Sequence, residues 1–119
     1  MPHIVLDGSA DLPAFWAGYA PLQERTAAGD VLKTGECWLN HHKSSLLIDA
    51  FTIEKGISRH FYVLISDKGG RVTLHLEPMT QPTATDTVKH LLAMLAAELR
   101  KKFPALAYGK TNLAEFLRP

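Results

Sequence analysis

The sequence predicts an α+β fold, a small mixed sheet with two helices against one of its faces, and three observations carry that prediction. Late in the chain Val88, Leu91, Leu92, Leu95 and Leu99 recur at helical spacing. Between Ser45 and Glu77 the β-branched and aromatic residues fall into three runs parted by turn residues. The order of segments, strand then helix then strands then helix, lets both helices cover one sheet.

The opening strand is His3, Ile4, Val5 and Leu6, closed by a turn at Asp7, Gly8 and Ser9. Leu12, Phe15, Trp16, Tyr19 and Leu22 then follow helical spacing, with Ser9 or Asp11 as the cap and Pro13 in the first turn. Pro21 removes a backbone bond and crowds the carbonyl of Ala17, so this first helix is expected to kink or restart there and to end near Gly29. From Val31 to Lys43 no clean period holds, and the segment reads as a loop with room for one short strand.

The three runs after Ser45 form a meander, with turns at Lys55–Gly56 and at Asp67 to Gly70. In its third run Val72, Leu74 and Leu76 face one way, and Arg71, Thr73, His75 and Glu77 the other. Thr83 followed by Asp86 resembles a capping box for the second helix. That helix ends before Pro104, after the basic turn Arg100, Lys101, Lys102 that suits the negative end of its dipole. The tail from Ala105 to Pro119 has room for a short strand or a helical turn around Leu113 to Leu117.

With 119 residues, 46% of them hydrophobic, the chain has material for one core, so residues 1–119 are read as one domain. Thirteen Lys and Arg against twelve Asp and Glu leave a formal charge of +1, which offers no basic field for nucleic acid or for an anionic membrane. No apolar run reaches bilayer length, and the lone Cys37 cannot form an intramolecular disulfide, which fits a cytoplasmic setting. With both helices on one side, the other sheet face stays open. Phe51, Ile53, Phe61, Tyr62 and Val63 supply more apolar positions than one face can use, so a homo-oligomer is expected.

The candidate chemistry centres on Pro2. Removal of Met1 would leave a secondary amine at the end of a strand, a base that burial or nearby cations bring toward neutrality. The run Met1 to Val5, with Ala10 to Pro13 and then Pro21 and Leu22, resembles the amino-terminal part of 5-carboxymethyl-2-hydroxymuconate isomerases of the tautomerase superfamily. What the resemblance implies is a homotrimer of β-α-β based subunits, with Pro2 as the general base for keto-enol isomerisation of a small unsaturated keto acid.

Such a site needs a cation for the carboxylate of its small-molecule substrate. Lys43, Arg59 and Arg71 are the candidates, each at a strand end. No metal and no cofactor is implied: the adjacent His41 and His42 point to opposite faces of a strand, and no glycine-rich phosphate loop follows a strand. Cys37 reads as a small buried hydrophobe rather than a nucleophile. The competing reading is a noncatalytic α+β module that binds a ligand or a protein through the open sheet face.

Overall fold

Alternation of buried and half-exposed residues assembles seven strands into one sheet in the computed structural model, which describes residues 1–119. Strand β1 (His3–Asp7) leads into a short helix α1 (Leu12–Ala17). Strands β2 (Gln23–Arg25), β3 (Val31–Leu39), β4 (Ser45–Glu54), β5 (Ile57–Asp67) and β6 (Arg71–Leu76) follow. The long helix α2 (Asp86–Lys102) and strand β7 (Ala107–Thr111) complete the fold, and single 3-10 turns lie at Pro78–Thr80 and Ala114–Phe116. No helix is long and apolar enough to cross a membrane.

The sheet order is β2-β3-β4-β5-β6-β1-β7, and every neighbouring pair is antiparallel. The expected mixed sheet is therefore corrected to an antiparallel one. Its cause is the connections: four successive hairpins carry the chain from β2 to β6, and tight turns join only antiparallel neighbours. Helix α1 leads from β1 to the far edge of the sheet, so it does not link adjacent strands as a β-α-β unit requires. Across α2, strands β6 and β7 run parallel to each other with β1 between them.

Both helices pack on one face, as the sequence predicts, and α2 lies across β1, β3, β4 and β6. The inward positions are fully buried: Leu46, Ile48 and Ala50 of β4, Phe61, Val63 and Ile65 of β5, and Val72, Leu74 and Leu76 of β6. They meet Val88, Leu91, Leu92, Leu95 and Leu99 of α2, the stripe that marked this helix in the sequence. The alternate residues Leu47, Asp49 and Phe51 on β4, and Tyr62 and Leu64 on β5, stand half-exposed on the opposite face, which no helix covers.

Three local readings change. Helix α1 stops at Gly18 rather than running toward Gly29: the Gly18 N–H closes the last helical bond to the Ala14 carbonyl at 3.1 Å, and the Tyr19 N–H turns back to the Trp16 carbonyl at 3.2 Å. That frees Tyr19 to reach β3, where its hydroxyl donates to the Gly35 carbonyl at 2.7 Å and lies 2.6 Å from the Thr34 hydroxyl. Thr85, not Thr83, caps α2, accepting from the Val88 N–H. The segment read as a loop after Val31 is β3, nine residues long. Its alternation is hidden by a bulge: Thr34 pairs with Ala50 and Cys37 with Ile48, so Gly35 and Glu36 together oppose Asp49.

The tail is tied to the opposite edge of the sheet. Arg118 donates to both carboxylate oxygens of Glu24, Nη1 to Oε2 at 2.6 Å and Nη2 to Oε1 at 2.8 Å. That pairing holds the Glu24 carboxyl below its ordinary value of 4.5. A carboxylate whose folded pKa is depressed contributes stability above its unfolded pKa and loses it as pH falls through the folded one. Both groups are partly solvated, so the pair is worth roughly 0.2–1 kcal/mol. Arg118→Met should lower stability to urea by that amount at pH 7, and the difference from the parent should shrink as the pH is taken down from 4.5. An undiminished difference at the acid end would show that Arg118 acts by packing instead.

Candidate functional site

The bulge in β3 determines what the open face presents. Strand side chains alternate, so Lys33 and Trp38, five positions apart, would point to opposite faces of a regular strand; the extra residue brings both outward. Lys33 sits opposite Phe51, Phe51 opposite His60, and Asp49 opposite Tyr62. Together these residues of β3, β4 and β5 make the candidate site.

Gly35 leaves space within the bulge for the carboxylate of Asp49. A Cβ at Gly35 would stand 2.9 Å from Asp49 Oδ2 and 3.5 Å from Asp49 Cβ. Asp49 in turn accepts from His60 Nε2 through Oδ1, which fixes the plane of the imidazole. The ring of His60 lies flat on that of Phe51, with centroids 4.4 Å apart and planes 4° from parallel. Lys33 Nζ stands 5.4 Å from the centroid of Phe51, close enough for a cation–π contact.

From this stack the aromatic surface continues. Tyr62 is 5.2 Å from His60, centroid to centroid, and Trp38 is 6.1 Å from Tyr62. Trp38 is 46% exposed, a large apolar ring left in solvent on an uncovered face. At the Lys33 end a cleft of about 370 Å³ opens, lined by Phe51, Ile53, Ser58, Arg59 and His60. It offers a flat aromatic wall and positive charge, a combination suited to a planar or apolar anion. A smaller hollow between α2 and β2 is bordered by Glu24 and Arg118, whose charges already satisfy each other.

The residues proposed from the sequence do not converge. Arg59 lines the cleft, but it shares the strand parity of its buried partner Thr52, toward the end of α2. There the Thr85 and Thr87 hydroxyls, together with the Arg59 charge, hold the Glu54 carboxyl below its ordinary value. Lys43 lies in the hairpin between β3 and β4, its φ of 59° that of a turn residue, and Arg71 begins β6 opposite Asp7. Both belong to the opposite end of the sheet from Arg59. His41 and His42 meet edge to face at 5.4 Å within that exposed hairpin. Cys37 is buried, and burial together with the neighbouring Glu36 charge pushes its thiol up to about 11, far from a reactive thiolate.

Pro2 is the larger correction. Residue 1 is Met, so the Pro2 nitrogen is a tertiary amide whose lone pair is delocalised into the Met1 carbonyl, and it carries no basic site. Pro2 is buried, and the Met1 carbonyl accepts from Asn112 Nδ2 at 2.7 Å, which fastens that peptide to the end of β7. Comparison with known proteins finds no matching family model, no matching curated protein and no matching solved structure. The amino-terminal proline base is absent, and the isomerase reading and its trimer lose the residue they were built on.

Sequence reasoning missed Lys33, Phe51, Asp49 and His60 as one group. Phe51 and His60 lie on two runs recognised as strands, nine positions apart around the Lys55–Gly56 turn, and that spacing contained the pairing. Asp49 and Lys33 depend on the bulge. Substituting Ala at Gly35 normally reduces unfolded-chain entropy and stabilises by about 0.4–1 kcal/mol where the backbone allows it. Here the new methyl displaces Asp49 from His60, and because His60 is half-exposed the lost contact is worth roughly 0.2–1 kcal/mol, which offsets that gain. Gly35→Ala is therefore expected to be close to neutral in urea, and to become stabilising by about 0.4–1 kcal/mol in an Asp49→Ala background. An equal effect in both backgrounds would show that Asp49 is not what Gly35 accommodates.

Proposed function

We propose that this chain is a noncatalytic ligand-binding module that takes a small carboxylate on its open sheet face, in the cleft beside Lys33, Phe51, Arg59 and His60. The observation that carries this reading is the parallel Phe51–His60 stack, immobilised by Asp49 and standing next to the Lys33 ammonium. An aromatic plane held in one orientation loses little entropy when a ligand settles on it. Lys33 supplies an attraction for a carboxylate, and the solvent around it keeps that attraction modest. Arg59 lies at the wall with the strand parity of the inward-facing Thr52, so it is assigned the smaller part.

A single aryl carboxylate covers only the cleft, and its affinity is accordingly weak, with a dissociation constant on the order of 1 mM. Titration of labelled protein with benzoate, followed by amide NMR shifts, should perturb Lys33, Phe51 and His60 and leave Lys43 and Arg71 unmoved. Lys33→Met should weaken binding about fivefold, equivalent to roughly 1 kcal/mol, and Arg59→Met should weaken it less. Shifts centred on Lys43 or Arg71, or undiminished binding in Lys33→Met, would overturn the assignment.

A further inference from the structure

The cleft does not end at the aromatic stack. Further along the same face a second hollow of about 250 Å³ is lined by Trp38, Leu47 and Leu64, with Leu39 and Leu46 behind them. Trp38, Leu47 and Leu64 form one row across β3, β4 and β5, as Lys33, Phe51 and His60 form another. Between the rows lie Tyr62 and the Asp49 carboxylate, the latter already engaged by His60. The face is thus cationic at one end, aromatic in the middle and apolar at the other.

We infer that the occupant of this face is an amphipathic monocarboxylate, its head at Lys33 and its alkyl or aryl-alkyl tail laid over Tyr62 into the hollow at Trp38, Leu47 and Leu64. The inference rests on the carboxylate reading of the cleft and adds the length and polarity of the ligand. Phe51 and Leu47 stand four positions apart on β4, which at ~3.3 Å per residue is about 13 Å, the reach of an extended chain of about ten carbons. Charge complementarity sets the direction: the hollow at the Trp38 end is lined by no cation, its row passing on to His75 and His3, and an alkyl tail at the other end would desolvate Lys33. A second copy of this chain, whose exposed Glu36 could also reach Lys33, is the competing occupant, and sedimentation separates the two.

The test is calorimetric titration with linear carboxylates from acetate to dodecanoate, each below its micelle concentration, with benzoate as the short reference. A methylene moved fully out of water contributes about 0.8 kcal/mol, or roughly fourfold in affinity, and half-burial on an open face gives about twofold. Affinity should therefore rise about two- to fourfold per methylene from hexanoate to decanoate and then level off. Leu47→Ser should flatten that dependence while leaving benzoate binding intact, and Lys33→Met should weaken every chain length by a similar factor. Decyltrimethylammonium, with the same tail and the opposite charge, should not bind at the concentrations where decanoate does.

Benzoate binding without any gain from chain length would overturn this inference and leave the carboxylate site standing. Failure of benzoate and of every linear acid would overturn both. Equal binding of the cationic amphiphile would show that the apolar hollow acts without Lys33, and would also overturn the inference. So would a concentration-dependent dimer in sedimentation that Leu47→Ser abolishes, because the face would then be occupied by a second copy.

Discussion

One extra residue in β3 governs how the open face is composed. By setting Gly35 and Glu36 against the single Asp49, the bulge reverses the inward and outward parity of the rest of the strand. Before it, Leu32 and Thr34 face the core; after it Cys37 does, and Trp38 turns outward. A regular strand in the same register would bury Trp38 and expose Cys37. The absence of a side chain at Gly35 also admits the Asp49 carboxylate, which holds His60 flat on Phe51. Parity, aromatic platform and cation placement thus have a common origin.

The bulge is itself held from the core side. Tyr19 leaves α1 at the Gly18 cap and places its hydroxyl on the Gly35 carbonyl, and the Leu22 N–H donates to the Thr34 hydroxyl at 2.9 Å. Trp16 Nε1 donates to the Cys37 carbonyl at 3.0 Å, occupying an acceptor on the half of β3 that β2 does not reach. The first helix and the turn after it therefore serve the strand: Trp16 and Tyr19 donate to two β3 carbonyls, those of Cys37 and Gly35, at and beside the bulge. On the other side of the sheet α2 buries the inward row and leaves the outward row to solvent, which makes the division between core and open face sharp.

Much of this was legible in the residues, and the exceptions have physical causes. The stripe on α2, the three runs of the meander and their turns appear in the sequence because each follows its own period without interruption. The β3 segment reads as a loop in the sequence because a bulge destroys period two at the point where it matters, and local pattern does not distinguish that from irregular chain. The strand order was illegible for a different reason: β1 joins β6 and β7 across more than sixty residues, a choice made by packing against α2 rather than by neighbours in the chain. Pro2 belongs to a short motif, whereas Lys33, the charge beside the aromatic platform, lies in a segment whose pattern allows only a loop with one short strand.

The account stands on the imidazole of His60 being held by Asp49, and the nitrogen shifts of that ring report it directly. In ¹⁵N-labelled protein, with each histidine assigned by substitution, His60 should show a proton on Nε2 that resists exchange with solvent more than those of His41 and His42. Asp49→Ala should remove that protection and broaden the Phe51 ring signals. An Nε2 of His60 that exchanges as freely as in the hairpin histidines, unchanged by Asp49→Ala, would contradict the pinned platform and with it the reason for placing the ligand there.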